Sequence, residues 1–158
     1  MTILKLEKIK KTYQKGSREV IALKGINLSI EKGEFLAIVG PSGSGKTTLL
    51  NIIGCLDVPT EGIVFYDRKP LTGLSENALS EYRKESISFI FQSYNLIPVL
   101  TVRENVELPL IIAKQFSKSE IKKKAEDIIK KVGLKDMIER FPRELSGGQE
   151  QRVAIAGP

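Results

Sequence analysis

Three observations predict an α/β fold built around a phosphate-binding loop. Residues 35–39 form an unbroken apolar run, Phe35 to Val39, as expected of a strand covered on both faces in a mainly parallel sheet. A glycine-rich segment follows at once, and residues 47–53 after it are apolar enough for a buried helix closed by Gly54. Beyond residue 100 the pattern turns to capped, amphipathic helices, so a sheet-containing lobe over 1–92 and a helical lobe over 93–158 are expected within one domain.

The remaining elements follow in order. Residues 3–10 and 20–30 carry alternating apolar side chains, Leu4 and Leu6, then Leu28 and Ile30. They read as two strands of a partly exposed antiparallel region, joined by a turn over 14–18, with a further turn over 31–34. Residues 62–66 and 87–91 read as strands, with a short helix over 75–83 between them. Thr101 with Glu104, and Ser117 with Glu120, are capping boxes, in which each side chain satisfies a free backbone amide of a helix's first turn. Past the second box Ile121, Ala125, Ile128, Ile129 and Val132 share one helical face, and Gly133 ends it.

Composition narrows the function classes. No apolar run approaches the roughly 20 residues that span a bilayer, so the chain is expected not to cross a membrane by itself. The N-terminus has no basic region followed by an apolar stretch and a small-residue cleavage site, and the single cysteine, Cys55, cannot form an internal disulfide. Both fit a reducing cytoplasm. The net charge of +6 is concentrated in lysine runs over 5–15 and 114–131, which read as solvated faces rather than a nucleic-acid surface. With no histidine in the chain, the commonest general base and any histidine-ligated metal are ruled out.

Gly40, Pro41, Ser42, Gly43, Ser44, Gly45, Lys46 and Thr47 match G-x-x-x-x-G-K-[ST] in full, with Thr48 next. The glycines let the backbone fold into a nest of amides that faces phosphate oxygens, and the helix that follows adds its positive end. Lys46 can reach the β- and γ-phosphates and offset the charge of the transferring group, and the Thr47 hydroxyl can ligand Mg²⁺. The position of the motif between a strand and a helix makes it a nucleoside-triphosphate site. It does not separate kinases, GTPases, repair ATPases and transport ATPases.

A second motif does. Leu145, Ser146, Gly147, Gly148 and Gln149 resemble the signature sequence of ATP-binding-cassette (ABC) proteins, and the likeness runs on to Ala156. Ser146 and Gln149 form another capping box, and the two glycines leave the helix amides uncovered as a second anion receptor. The resemblance implies that this helix end meets ATP held by the phosphate loop of a second copy. It also implies that Tyr13 stacks on adenine, and that Gln92 ligands Mg²⁺, senses the γ-phosphate and touches a membrane partner. Residues 75–83 and 91–109 look like the lipoprotein-release and macrolide-efflux branch. The implied protein is the ATPase subunit of an ABC transporter: a homodimer bound to an integral membrane permease at the inner face of the cell membrane, with ATP and Mg²⁺ as cofactors and no direct contact with nucleic acid.

The chain also departs from the family. Its members continue beyond the signature helix into a strand ending in a magnesium-holding Asp, a Glu that orients the attacking water, and later a switch His. None of these lies in the sequence, which reads as a truncated form closed by the helix stop Gly157-Pro158; Glu150 stands where Gln is more usual. Lys46 is the one catalytic residue expected here, and residues 35–39 are expected to lack partners that the later strands would supply. Two other readings are a soluble ABC ATPase acting on DNA or ribosomes and a non-catalytic nucleotide-binding fragment. The coiled-coil insertions and tandem cassettes of the former are absent from the sequence.

Overall fold

The structure, a computed structural model, describes residues 1–157, the Glu85 side chain excepted. The chain divides between Ile87 and Ser88 into two compact units. In the first, β1 (Thr2–Lys15), β2 (Arg18–Glu31), β3 (Glu61–Tyr66) and β4 (Lys69–Pro70) form one antiparallel sheet in the order β2-β1-β3-β4. Helices α1 (Lys46–Ile53) and α2 (Glu76–Ser86) complete the unit. The turn between β1 and β2 is only Gly16 and Ser17, tighter than the five residues expected, so both strands run longer than the alternation suggested.

The buried side chains of β1 switch phase at one of its register shifts. Leu4 and Leu6 are buried on the even phase, then Ile9 on the odd one. From Leu6↔Leu28 to Ile9↔Ile26, β1 advances three residues against two on its partner, and the same offset recurs against β3 between Glu7 and Lys10. That is a β-bulge, with Lys8 in the left-handed region at φ 51° and its amide donating to Asn27 Oδ1 at 2.9 Å. Gly62 lies opposite. A Cβ there would stand 2.5 Å from the Glu7 carbonyl oxygen and 2.6 Å from that of Lys8, and its φ of 96° already favours glycine. Leu4, Leu6, Ile9, Leu23 and Val64 then make an apolar floor on which Leu49 and Ile52 of α1 pack.

Two expected strands do not form. Residues 35–39 lead into the phosphate loop as an irregular segment paired with no strand, with Phe35 95% and Val39 87% exposed. Residues 87–91 likewise pair with nothing, and the Phe89 and Phe91 rings pack on each other at 4.6 Å. A strand is completed by its neighbours' amides and carbonyls, and the described residues supply none for either segment. The mixed sheet expected around the loop is therefore an antiparallel sheet beside it.

The second unit holds α3 (Val102–Ala113), α4 (Lys118–Lys131) and α5 (Gly147–Ala156), with short 3₁₀ turns at Lys135–Met137 and Pro142–Glu144. Val102, Val106, Ala125, Ile129, Leu134, Val153 and Ala156 form its core. Both expected capping boxes are present. Glu104 Oε2 accepts from the Thr101 amide at 2.7 Å, and Glu120 Oε2 from the Ser117 amide at 2.8 Å. The α4 chain leaves through Gly133 at φ 72°, and Arg152 Nη1 donates to the Val132 carbonyl at 3.3 Å. α5 ends at Ala156; of the expected stop, Pro158 lies outside the described residues.

Gly62→Ala should lower unfolding free energy by about 1–3 kcal/mol in urea titration, because the added carbon meets backbone rather than a movable side chain. An unchanged midpoint would remove the close approach. The caps also respond to acid. Hydrogen bonds from the Thr101 amide and hydroxyl lower the Glu104 pKa, and those from the Ser117 hydroxyl and amide lower that of Glu120. Carboxylates with depressed folded values stabilise above the unfolded value of about 4.3, and that contribution is lost as pH falls through the folded value. Helix content followed by circular dichroism should therefore hold down to about pH 4.3 and fade below it for these two helices.

Candidate functional site

The loop from Gly40 to Gly45 is shaped by three glycines with positive φ: Gly40 at 159°, Gly43 at 78° and Gly45 at 90°. Gly45 is also fixed by its surroundings, since a Cβ there would lie 2.6 Å from the Ala22 carbonyl oxygen and 3.0 Å from Leu23 Cδ2. The helix that begins at Lys46 has Gly45 as N-cap, no side-chain cap and no acidic residue in its first turn. Its positive end is thus left for an outside anion. Ser42, Gly43, Ser44 and Thr47 are exposed, Thr48 is half-buried, and the Leu49 amide makes the first helical bond to the Gly45 carbonyl at 2.8 Å.

Lys46 folds over this loop. Its ammonium donates to the carbonyls of Gly40 at 2.9 Å and Pro41 at 2.7 Å, with Ser44 Oγ at 3.5 Å. A cation held against the carbonyls of a glycine loop adds positive charge next to the helix end.

Tyr13 sits in β1 with 38% of its surface exposed, and its hydroxyl donates to Asp57 Oδ2 at 2.8 Å. Asp57 Oδ1 accepts from Lys11 Nζ at 2.6 Å, and that ammonium lies 5.0 Å from the Tyr13 ring centroid. Burial raises the Asp57 pKa, but hydrogen bonds from Lys11, Tyr13 and the Val58 amide outweigh it and hold the carboxyl below its usual value. Lys11 is two positions from Tyr13 on β1, the strand spacing that shares a face, but Asp57 has no sequence spacing that links it to either.

The other expected residues lie in the second unit. Ser146, Gly147 and Gly148 are exposed at the start of α5. Gln149 makes the cap, its side-chain oxygen accepting from the Ser146 amide at 2.7 Å. The Gln149 and Glu150 amides donate to the Ser146 carbonyl at 2.8 and 2.9 Å, while a Cβ on Gly147 would be 3.8 Å from Tyr94 Oη. Gln92 was expected at a strand end. It lies instead, exposed, in a turn closed by the Tyr94 amide on the Phe91 carbonyl at 3.1 Å, with Tyr94 and Asn95 at φ 61° and 51°. Among the described residues no cluster of His, Cys, Asp or Glu could hold a metal ion.

The sequence profile of the family described as "ABC transporter" matches residues 23–157. The chain belongs to that family. It is 53% identical over 154 residues to YvrO of Bacillus subtilis, an uncharacterised ABC transporter ATP-binding protein, covering 98% of this chain and 67% of YvrO. It is 47% identical over 156 residues to the macrolide export ATP-binding/permease protein MacB of Mannheimia succiniciproducens, covering 99% of this chain and 24% of MacB. The solved ATP-binding cassette MJ0796, whose Methanocaldococcus jannaschii sequence is likewise matched, superposes with a TM-score of 0.91 at 49% identity. That match covers 98% of this chain and 68% of MJ0796, a dimer bound to ADP and Pi in a post-hydrolysis state. The fold is accordingly a P-loop ABC cassette, and family membership makes it an ATP-binding one.

Lys46→Ala should weaken ATP binding roughly 10- to 100-fold by calorimetry, matching the loss of a charge-assisted contact of about 1.5–3 kcal/mol. Unchanged affinity would exclude Lys46 from the site.

Proposed function

We propose that residues 1–158 are the ATP-binding part of an ABC transporter subunit that couples ATP binding, dimer closure and hydrolysis to movement of a membrane permease. The observation that carries this reading is the glycine-shaped loop opening onto an uncapped helix end beneath Lys46. On binding, the Lys46 ammonium exchanges the Gly40 and Pro41 carbonyls for the β- and γ-phosphate oxygens, and the loop amides take the remaining charge. Tyr13 offers a ring for adenine. The Thr47 hydroxyl would hold Mg²⁺ with phosphate oxygens, and the metal would neutralise charge on the transferring group; the exposed Gln92 carboxamide is the further oxygen donor that the family resemblance implies.

The exposed start of α5 suits a triphosphate held by another copy. Ser146, Gly147, Gly148 and Gln149 present a hydroxyl and uncovered amides at a helix N-terminus, as an anion acceptor requires. The dimeric state of MJ0796 supports a homodimer that encloses nucleotide between copies. A permease partner is supported by the transporter family match and by MacB, whose name joins ATP binding to a permease. Among the described residues no helix is long and apolar enough to cross a membrane, so attachment at the inner membrane face would run through that partner.

Binding and turnover should separate in this chain. Lys46 serves both, but the family residues that orient water and hold the metal from the other side follow the signature helix. Residues 1–158 should therefore bind Mg-ATP yet release phosphate on the order of 100-fold more slowly than a form extended through the remaining third of a cassette the length of YvrO. Comparable turnover by the two forms would place the catalytic residues within 1–158, and an absence of ATP binding would defeat the reading altogether.

A further inference from the structure

We propose that Asp57 is a positioning residue, which fixes the Tyr13 ring as the platform for the base of a bound nucleotide. This rests on the reading of Tyr13 above and adds the part that makes the ring rigid. One carboxylate serves two partners at once: Oδ2 takes the Tyr13 hydroxyl at 2.8 Å and Oδ1 takes Lys11 Nζ at 2.6 Å. The Val58 amide also donates to Oδ1 at 2.8 Å, so the carboxylate is itself locked to its own backbone.

Lys11 closes the arrangement from the side. Its ammonium donates to the Val58 carbonyl at 2.7 Å and lies 5.0 Å from the Tyr13 centroid. Its side chain is only 12% exposed and that of Asp57 24%, so this is no loose surface pair. A tyrosine ring has two side-chain torsions. Holding the hydroxyl end and setting a cation against the ring removes most of their freedom before any ligand arrives, which lowers the ordering cost of stacking.

The same carboxylate refers the ring to the phosphate site. The amides of Leu56 and Asp57 both donate to the Asn51 carbonyl in the last turn of α1, at 2.8 and 3.2 Å. The other end of α1 opens at the glycine loop, about 12 Å away for a helix of this length. Thr12 and Thr60 brace the approach: the Thr12 amide donates to Thr60 Oγ1 at 3.0 Å, and the Thr60 amide to the Lys10 carbonyl at 2.8 Å. A nucleotide base stacked on Tyr13 and phosphates held by the loop would thus be spaced by one rigid helix. A carboxylate kept ionised by its donors suits this task, because it accepts from phenol and ammonium together.

The test is calorimetry of ATP and of inorganic tripolyphosphate, which has no base, on the 158-residue chain. Tyr13→Ala, Tyr13→Phe, Asp57→Ala, Asp57→Asn and the double variant Tyr13→Phe/Asp57→Ala are compared. Asp57→Ala and Tyr13→Phe should each weaken ATP roughly 3- to 10-fold, the weight of one hydrogen bond, and leave tripolyphosphate unchanged. The double variant should be no weaker than the worse single one, and Asp57→Asn, which keeps an acceptor for the phenol, should recover part of the loss. Additive losses, or equal losses of both ligands on removing Asp57, would overturn the positioning role while a base-selective effect of Tyr13→Ala kept the platform. No base-selective effect of Tyr13→Ala would overturn both. Should Asp57→Ala unfold by circular dichroism, Asp57→Asn beside Tyr13→Phe decides on the same criteria.

Discussion

The packing of α1 on the sheet is the constraint from which the rest of the nucleotide-binding unit follows. Leu49 and Ile52, three positions apart, lie on one helical face and press into the floor made by Leu4, Leu6, Ile9, Leu23 and Val64. Each such side chain contributes about 1.5–3 kcal/mol when fully withdrawn from water. That seat sets where the helix begins, and so where its unpaired amides point. It also brings Gly45 so close to the Ala22 carbonyl that no larger residue fits. Apolar contacts thus seat the helix end, while the loop itself is tied by the Lys46 ammonium on the Gly40 and Pro41 carbonyls and by the 3.3 Å backbone bond from Ser44 to Pro41.

Much of this was legible in the residues because it is local. Caps at Thr101 and Ser117, the Gln149 arm of the cap at Ser146, the stop at Gly133 and the glycine-lysine pattern depend on neighbours a few positions away, and the structure forms them. What failed depends on distant partners. Residues 35–39 were expected to lack partners, and they do; what their composition does not show is that without those partners no strand forms, which leaves Phe35 almost wholly in solvent. The bulge in β1 lay between these cases. The shift of buried positions from 4 and 6 to 9 is visible in Leu4, Leu6 and Ile9, but Gly62, which makes room for it, is more than fifty residues on. The hydrogen bond of Tyr13 to Asp57 has no periodicity behind it, so only the folded chain brings it into view.

The ion pairs of the two units sit at different depths. In the first, ionised groups such as Lys11 and Asp57 are drawn part-way inside and satisfied by each other. In the second, Arg103 faces Glu107, 18% exposed, at the longer distance of 3.9 Å and makes its short pair at 2.8 Å with Glu139, which is 61% exposed. An exposed pair of this kind is screened by salt and contributes little. The helical unit therefore leans on its apolar core and its caps.

The two-residue turn at Gly16 and Ser17 bears on how the chain is made. A polypeptide leaves the ribosome from its N-terminus, and the β1–β2 hairpin needs nothing beyond Glu31. Its third strand, β3, is not complete until Tyr66, and in between the growing chain must release both the exposed apolar segment and the phosphate loop. Until α1 is made the hairpin's apolar face has no helix to cover it, and until Val64 arrives the floor on which α1 packs is incomplete, so the loop has no fixed seat. Synthesis order thus makes the nucleotide site one of the late products of folding in this unit, assembled only once a strand made after the loop returns to pair with the first.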